Sequence, residues 1–472
     1  MPQSTQHTMS QSTDGTLKVF ARWRPPTEAE AAEGEICYRT IPEITGLSTI
    51  TTIPEEDSVK IRPWGIVPET PWTSAPAFSA VLTPDRDNAT VFETVVKSSI
   101  PQVMEGANCS FFAYGHSGSG KTHTIVGYDH QNNQELGLSL AAARNLFQAI
   151  HSLNHSNESS SQGPLGIGLS VFEMRNKVAV DLLNNGQECA IKEGHDGKVH
   201  IRGQPEMLEG GEVRVNFIAK KPHWTFETLE KDLLEAISLR SVGSSHVHDQ
   251  SSRSHAIIEF EIINQVLIDA RNSILDAKAK AVPMGKEQDD LQYKLSELRK
   301  KKLGAFHNVD PAIMALNVND TMDRLVDLKK QVTRLQNQVT AAEQNADDIL
   351  KGAHSPCVGA KLVFVDLAGA EYHKFTAEKA TALQQSHQEK QEGCQINFDV
   401  MALKEVMRAW STNQPWIPFR SSPLTMVLRE YFVGQKKGTT AMIVTLSPAK
   451  ERYTATLNSL RYGSLVGAPK GK

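Results

Sequence analysis

From Leu17 to about Ile263 the chain alternates short β-rich apolar runs with amphipathic stretches of helical period, which predicts an α/β unit around a central, mixed sheet. Strands are expected at LKVFARW (17–23), SFFAY (110–114), GIGLSVFEM (166–174) and HAIIEFEII (255–263). Helices are expected over Thr90 to Val103 and Phe226 to Ser238, and the Ser- and Asn-rich stretch 154–163 reads as a surface loop.

The texture changes between about Leu267 and Cys357, where Lys, Glu, Gln, Asp and Ala dominate and β-branched runs disappear. Leu325, Leu328, Val332, Leu335, Val339, Ala342, Ala346 and Ile349 recur at alternating spacings of three and four, the seam of a coiled coil. A first arm offers Leu291, Leu295 and Leu298 before Lys300 to Lys302, with Gly304 and Pro311 in the connection. Spacing alone leaves three readings open: an antiparallel hairpin whose arms cover each other, a seam through 320–350 that docks on a coiled-coil partner, or a mobile helix. The α/β texture then resumes with KLVFVDLAG (361–369). The expected division is a disordered leader at 1–16, a first α/β part at 17–266, a helical insertion at 267–357, a second α/β part at 358–466 and a tail at 467–472.

Composition narrows the function classes. Fifty Lys+Arg against 54 Asp+Glu give a net charge of −4, so no global positive field draws the chain to nucleic acid or anionic lipid. Neither partner is expected, and any polyanion must be held locally. No apolar run approaches the roughly 20 residues that span a bilayer, and the polar first residues lack a secretory pattern. Cys37, Cys109, Cys189, Cys357 and Cys394 are scattered without a C-x-x-C pair, which fits reduced thiols and offers no metal site.

The strongest chemistry is GHSGSGKT at 115–122, a G-x-x-x-x-G-K-[ST] loop placed after an apolar strand and opening into an expected helix. Gly115, Gly118 and Gly120 let the backbone N–H groups of Gly115, His116, Ser117, Gly118, Ser119 and Gly120 curl around phosphate oxygens. Lys121 then reaches the β and γ phosphates, and the Thr122 hydroxyl can ligate Mg2+. Asp366 closes the apolar strand 362–365 as a second, water-mediated metal partner, and Gly369 follows where an amide can report the γ-phosphate. The hydroxyl-rich HDQSSRSHA (248–256) adds serines able to meet metal and water, with Arg253 to neutralise charge.

Together these segments resemble a kinesin motor domain. The motifs RWRP (22–25), GHSGSGKT, SSRSH (251–255) and DLAGAE (366–371) stand in that family's order. SVFEMRNKVAVDLL (170–183), QINFDVMAL (395–403), IPFRSSPLT (417–425) and TLNSLRYGS (456–464) agree as well. The resemblance implies a P-loop motor fold that binds ATP and Mg2+, hydrolyses ATP with microtubule stimulation, and works in the cytoplasm on the cytoskeleton. It implies that Arg24, Pro25 and His123 flank the adenine, and that Thr122 and Ser252 ligate Mg2+. Ser251 lies near the lytic water, and Arg253 and Glu371 form a latch between two switch loops. The helix from about Gln395 faces the microtubule. ALKEVMRAW (402–410) and VLREYF (427–432) are also similar to the microtubule-depolymerising branch, a match too short to assign a subfamily.

This chain departs from the family at several places. His248 replaces an asparagine, Ala370 a serine, and His116 and Ser117 the glutamine and threonine of the P-loop. On the track-facing helix, Phe398 and Asp399 replace a cation and a small residue, and Pro423 stands where the next motif, over Phe419 to Thr425, has a lysine. Lost cations and an added acid are expected to weaken contact with acidic tubulin, while Lys374, Lys379 and Lys390 lie in a longer connection before that helix. Only LVGAPKGK follows Ser464, so no neck-linker segment is recognised and two-headed walking is not expected of this polypeptide. The alternative function is a non-motile nucleotide switch that binds a partner through its insertion.

Overall fold

The computed structural model describes residues 17–468 except 43–45, 54–58, 63–64, 69, 133, 157–162, 195–196, 209–211, 243–252, 303–317, 353–355, 370–386 and 434–436. The leader expected at 1–16 lies outside the described residues, as do Ser251, Ser252, Ala370 and Glu371.

The chain builds a mixed sheet of twelve strands. The labelled strands are β1 (Leu17–Trp23), β2 (Ala80–Leu82), β3 (Asn108–Tyr114), β4 (Gly166–Arg175), β5 (Val178–Asp181), β6 (Gln187–Glu193), β7 (Val199–Met207), β8 (Val213–Phe217), β9 (His255–Ile263), β10 (Lys361–Asp366) and β11 (Lys437–Leu446). Their order is β8-β7-β6-β5-β4-β9-β10-β3-β11-β1-β2, and a short strand at Lys221–His223 also pairs with β4. The centre is parallel, with β10 and β11 flanking β3, whereas β4, β9 and β10 run antiparallel.

Helices cover both faces, so the central strands are apolar on both sides and read as continuous hydrophobic runs. Along β3, Phe111 and Ala113 enter one core and Phe112 and Tyr114 the other; along β10, Leu362 and Phe364 alternate with Val363 and Val365 in the same way. The first core is closed by α2 (Asn88–Val95), α3 (Ser99–Met104), α5 (Leu138–Ser156) and α6 (Phe226–Val242). The second is closed by α9 (His387–Ser411), α10 (Pro423–Val433) and α11 (Tyr453–Gly467). Two short helices, α1 (Glu28–Glu33) and α4 (Lys121–Ile125), lie at the site described below.

The single helix expected over 90–103 is two. Asp87 caps α2 by accepting the Thr90 N–H at 2.8 Å, and the chain breaks before α3 because Pro101 has no N–H to offer the Lys97 carbonyl. Helix α9 starts at His387, upstream of the expected Gln395, since its first turns are polar and carry no apolar period.

Helices α7 (Gln265–Lys302) and α8 (Val318–Lys351) leave the sheet between the adjacent strands β9 and β10. They run antiparallel: Lys278 pairs with Glu343 at 2.7 Å, and Glu287 with Arg324 nearer the far end. Leu291 and Leu295 pack on Leu325, Leu328 and Val332, so these seam positions are covered by the other arm. At the root, Arg271 donates to both Glu261 oxygens at 2.6 and 3.0 Å, and Arg214 of β8 meets Asp276 at 2.6 Å. The Gly359 N–H donates to the Ile262 carbonyl at 2.8 Å, closing the sheet beneath the hairpin.

Candidate nucleotide site

Sheet register brings distant segments together at the C-terminal end of β3, the edge where open parallel sheets hold their ligands. Asp366, the last residue of β10, pairs with Ala113 of β3, two residues before the Gly115 loop begins. On its other side Asp366 pairs with Ala256 of β9, which places Arg253, Ser254 and His255 beside it. The loop 115–120 passes from β3 into α4 with Gly118 and Gly120 at φ +77° and +97°, a conformation that favours glycine.

Lys121 is buried, and its ammonium donates to the carbonyls of Gly115 (3.1 Å) and His116 (2.8 Å). Burial lowers its pKa to about 8, an effect the nearby Asp366 carboxylate opposes. The Thr122 hydroxyl donates to Asp366 Oδ2 at 2.8 Å. That oxygen also accepts from Arg240 Nη1 at 2.5 Å, whereas Asp366 Oδ1 is buried with no hydrogen-bond partner among the described residues. A hydroxyl beside an orphaned carboxylate oxygen is the donor set that a hard, oxygen-seeking ion such as Mg2+ uses, so these residues fit that metal.

Arg240, on the last turn of α6, was not singled out from the sequence, where it reads as one more charged residue in a leucine-spaced helix. It is 2% exposed, its Nη2 donates to the Ser254 carbonyl at 2.6 Å, and its Nε donates to Ser254 Oγ at 3.2 Å. Ser254 Oγ in turn donates to the buried Glu173 at 2.7 Å. His255 ties the same segment to the one after β10, because its Nδ1 accepts the Ala368 N–H at 3.1 Å. Burial lowers the His255 pKa to about 3, so the ring is neutral and carries its hydrogen on Nε2.

At the other end of the loop, every Arg24 N–H is used. Nε donates to Gly118 O at 2.8 Å, Nη1 to Pro25 O at 2.9 Å and Glu30 Oε2 at 2.6 Å, and Nη2 to Glu30 Oε1 at 2.5 Å and Ser447 Oγ at 3.0 Å. These bonds to Arg24 hold the Glu30 carboxyl down at about 2. Glu30 is also the third residue of the α1 capping box with Thr27, a further positioning residue that the sequence reading passed over. Pro25 is exposed. His123 is half-buried, with Nε2 3.3 Å from Glu135 and its ring against the exposed Tyr128. Ser119 Oγ meets Thr445 Oγ1 of β11 at 2.7 Å, and Gly369 lies on Ser117, where an added Cβ would come within 2.7 Å of the Ser117 nitrogen.

Of the residues singled out from the sequence, the structure therefore brings Thr122, Asp366, Lys121 and the 115–120 loop together, with Gly369 against the loop and Arg24 on its Gly118 carbonyl. Arg253 sits half-buried in the turn before Ser254. Ser251, Ser252 and Glu371, and with them the Arg253–Glu371 latch, lie outside the described residues.

The sequence model of the kinesin family, Kinesin motor domain, matches residues 22–285 and 331–468. The chain belongs to the kinesin family. The interval between the two matched stretches, 286–330, takes in the far part of the α7–α8 hairpin. The chain is 25% identical over 450 residues to Kinesin-like protein KIN-13A of Oryza sativa subsp. japonica, covering 95% of this chain and 41% of that protein. It is 26% identical over 389 residues to Kinesin-like protein KIN-13B of Arabidopsis thaliana, covering 82% and 39%. The chain thus spans less than half the length of these relatives. Among solved structures, the motor domain of Kar3 from Saccharomyces cerevisiae superposes with a TM-score of 0.57 at 20% identity, covering 96% of this chain and 99% of that one. The Kar3-like motor domain from Ashbya gossypii gives 0.54 at 19%, covering 96% and 99%. These likenesses show the kinesin motor fold.

That fold corrects one expectation about α9, the helix expected to face the microtubule. Asp399 does not face outward: it is 3% exposed, accepts from Gln395 Nε2 at 3.1 Å, and burial pushes its pKa up to about 6. A one-residue step along a helix turns a side chain by about 100°, so the neighbours Phe398 (52% exposed) and Met401 (65%) take the outer face instead. No acid is added to that face by Asp399.

Proposed function

We propose that the chain is a Mg2+-dependent ATPase that binds microtubules and couples loss of the γ-phosphate to movement of α9. The observation that supports this most is the junction of Thr122, Asp366 and Arg240 directly beneath the Lys121 loop, in a chain of the kinesin family. In this reading Lys121 exchanges the Gly115 and His116 carbonyls for phosphate oxygens, and the 115–120 amides cradle them. Thr122, Asp366 through water, and Ser252 hold the Mg2+, which supplies charge neutralisation at the transferring phosphoryl group. Arg24 fixes the Gly118 carbonyl, and Pro25 and His123 offer flat apolar surface to the adenine. Ser251 and Arg253 with Glu371 order the water, and Gly369 reports whether the γ-phosphate is present. Positioning and electrostatics carry such a reaction. The place of action is then the cytoplasm, on the cytoskeleton.

A second reading, a non-motile switch with weak microtubule stimulation, draws support from the exposed Phe398 and Met401 on the α9 face. Charge on that face would steer encounter with an acidic track, and apolar side chains do not. Steady-state ATP hydrolysis with and without polymerised tubulin separates the two. Strong stimulation that is lost in Lys121→Ala supports the motor, and tight ATP binding at an unchanged slow rate supports the switch. Absence of ATP binding by the folded protein refutes both.

A further inference from the structure

The peptide unit between His116 and Ser117 is held from two sides. Its carbonyl accepts the Lys121 ammonium at 2.8 Å, and its nitrogen lies against Gly369 so closely that a Cβ there would sit 2.7 Å away. Both neighbours respond to phosphate in the reading above. The His116 side chain leaves this peptide and reaches α11. Its ring is 3% exposed, Nδ1 stands 2.7 Å from Ser117 O, and Nε2 stands 3.3 Å from Thr456 Oγ1. Thr456 Oγ1 is also 3.0 Å from the Ser447 carbonyl.

Counting hydrogens shows that these contacts compete. A carbonyl only accepts, so the Nδ1 contact needs the hydrogen on Nδ1. Burial, with Lys121, Arg452 and Arg24 nearby, lowers the pKa of the ring to about 4, and a neutral imidazole then presents a bare lone pair at Nε2. Thr456 has one hydroxyl hydrogen, which can go to His116 or to Ser447 and not to both. Helix α11 is thus bound either to the phosphate loop or to the end of β11. A glutamine at position 116 could donate to Thr456 and leave its hydrogen on Ser447, so the choice is particular to histidine.

We propose that His116 and Thr456 form a relay through which phosphate occupancy sets the hydrogen bonding at the start of α11. The proposal rests on the nucleotide-site reading. When Lys121 leaves the His116 carbonyl or Gly369 moves off Ser117, the 116–117 peptide is released, the ring shifts, and the Thr456 hydrogen changes acceptor. Both are positioning residues.

Hydrogen exchange of the 453–467 amides, measured on the full chain with and without Mg2+ and a non-hydrolysable ATP analogue, tests the relay alongside a fluorescent-nucleotide titration. Wild type should bind and show a nucleotide-dependent change in α11. Thr456→Val should bind nucleotide yet lose that change, Thr456→Ser should restore it, and His116→Gln should lose it without the need to remove Thr456. An unaltered α11 response in Thr456→Val or His116→Gln overturns the relay, as does a wild type that binds nucleotide with no α11 response. Loss of nucleotide binding in a folded Thr456→Val overturns it too, because the pair would then belong to binding itself. A wild type that binds no nucleotide fails in the titration before any variant is compared, and that result refutes the nucleotide site.

Discussion

Replacing Arg240 by alanine tests how the site is assembled without any ligand. Arg240 is 2% exposed and Asp366 1%, with 2.5 Å between Nη1 and Oδ2. Without the guanidinium, the Asp366 carboxylate keeps, among the described residues, the Thr122 hydroxyl as its hydrogen-bond donor, and the Ser254 carbonyl loses its 2.6 Å donor. Removing one member of a buried ion pair costs about 3–5 kcal/mol, most of it the uncompensated charge. Asp366→Asn removes that charge, so the Arg240→Ala/Asp366→Asn double variant should lose less than the sum of the two singles. A coupling of about 1–3 kcal/mol is the expected size for groups in contact. Urea unfolding of wild type, both singles and the double variant gives the cycle. An Arg240→Ala cost under about 1 kcal/mol, the range of exposed pairs, or simple additivity would show that α6 and β10 do not meet through this pair.

Two further outcomes follow from particular groups. The Asp399 carboxyl is raised in the folded state, so its stabilising protonated form is fully present below the ordinary carboxylate value and is lost as pH rises to about 6. Asp399→Asn should therefore gain up to about 3 kcal/mol over wild type above pH 6, a gain that closes near pH 4; parallel stability–pH curves would refute it. Deleting 272–352 with a short linker leaves the Arg271–Glu261 contact and the Gly359–Ile262 hydrogen bond in place. The shortened protein should bind nucleotide as wild type does in a fluorescent-nucleotide titration, and loss of binding by a folded deletion would make the hairpin part of the site.

The central strands were legible because burial on both faces leaves an uninterrupted apolar run, as at Leu362 to Val365 of β10 and Phe111 to Tyr114 of β3. The phosphate loop was legible because its glycines and lysine are fixed by local backbone needs. Arg240 and Glu30 were not, since each matters only through a partner far along the chain or across a cap, Asp366 for one and Arg24 for the other. Asp399 was misplaced for the opposite reason. Motif comparison says which residue has changed but not which way the helix turns it, and burial was decided by packing against the segment around Ser422. The break between α2 and α3 was signalled by Pro101, whose missing N–H outweighs the amphipathic period around it.

Titration of the whole protein with a fluorescent ATP analogue, with and without Mg2+, bears most directly on the joining of the Lys121 loop to Asp366. One saturable, Mg2+-strengthened site is predicted, abolished by Lys121→Ala and left insensitive to Mg2+ by Asp366→Asn. A folded wild-type protein that binds no nucleotide, or binding that Lys121→Ala leaves intact, would contradict the account.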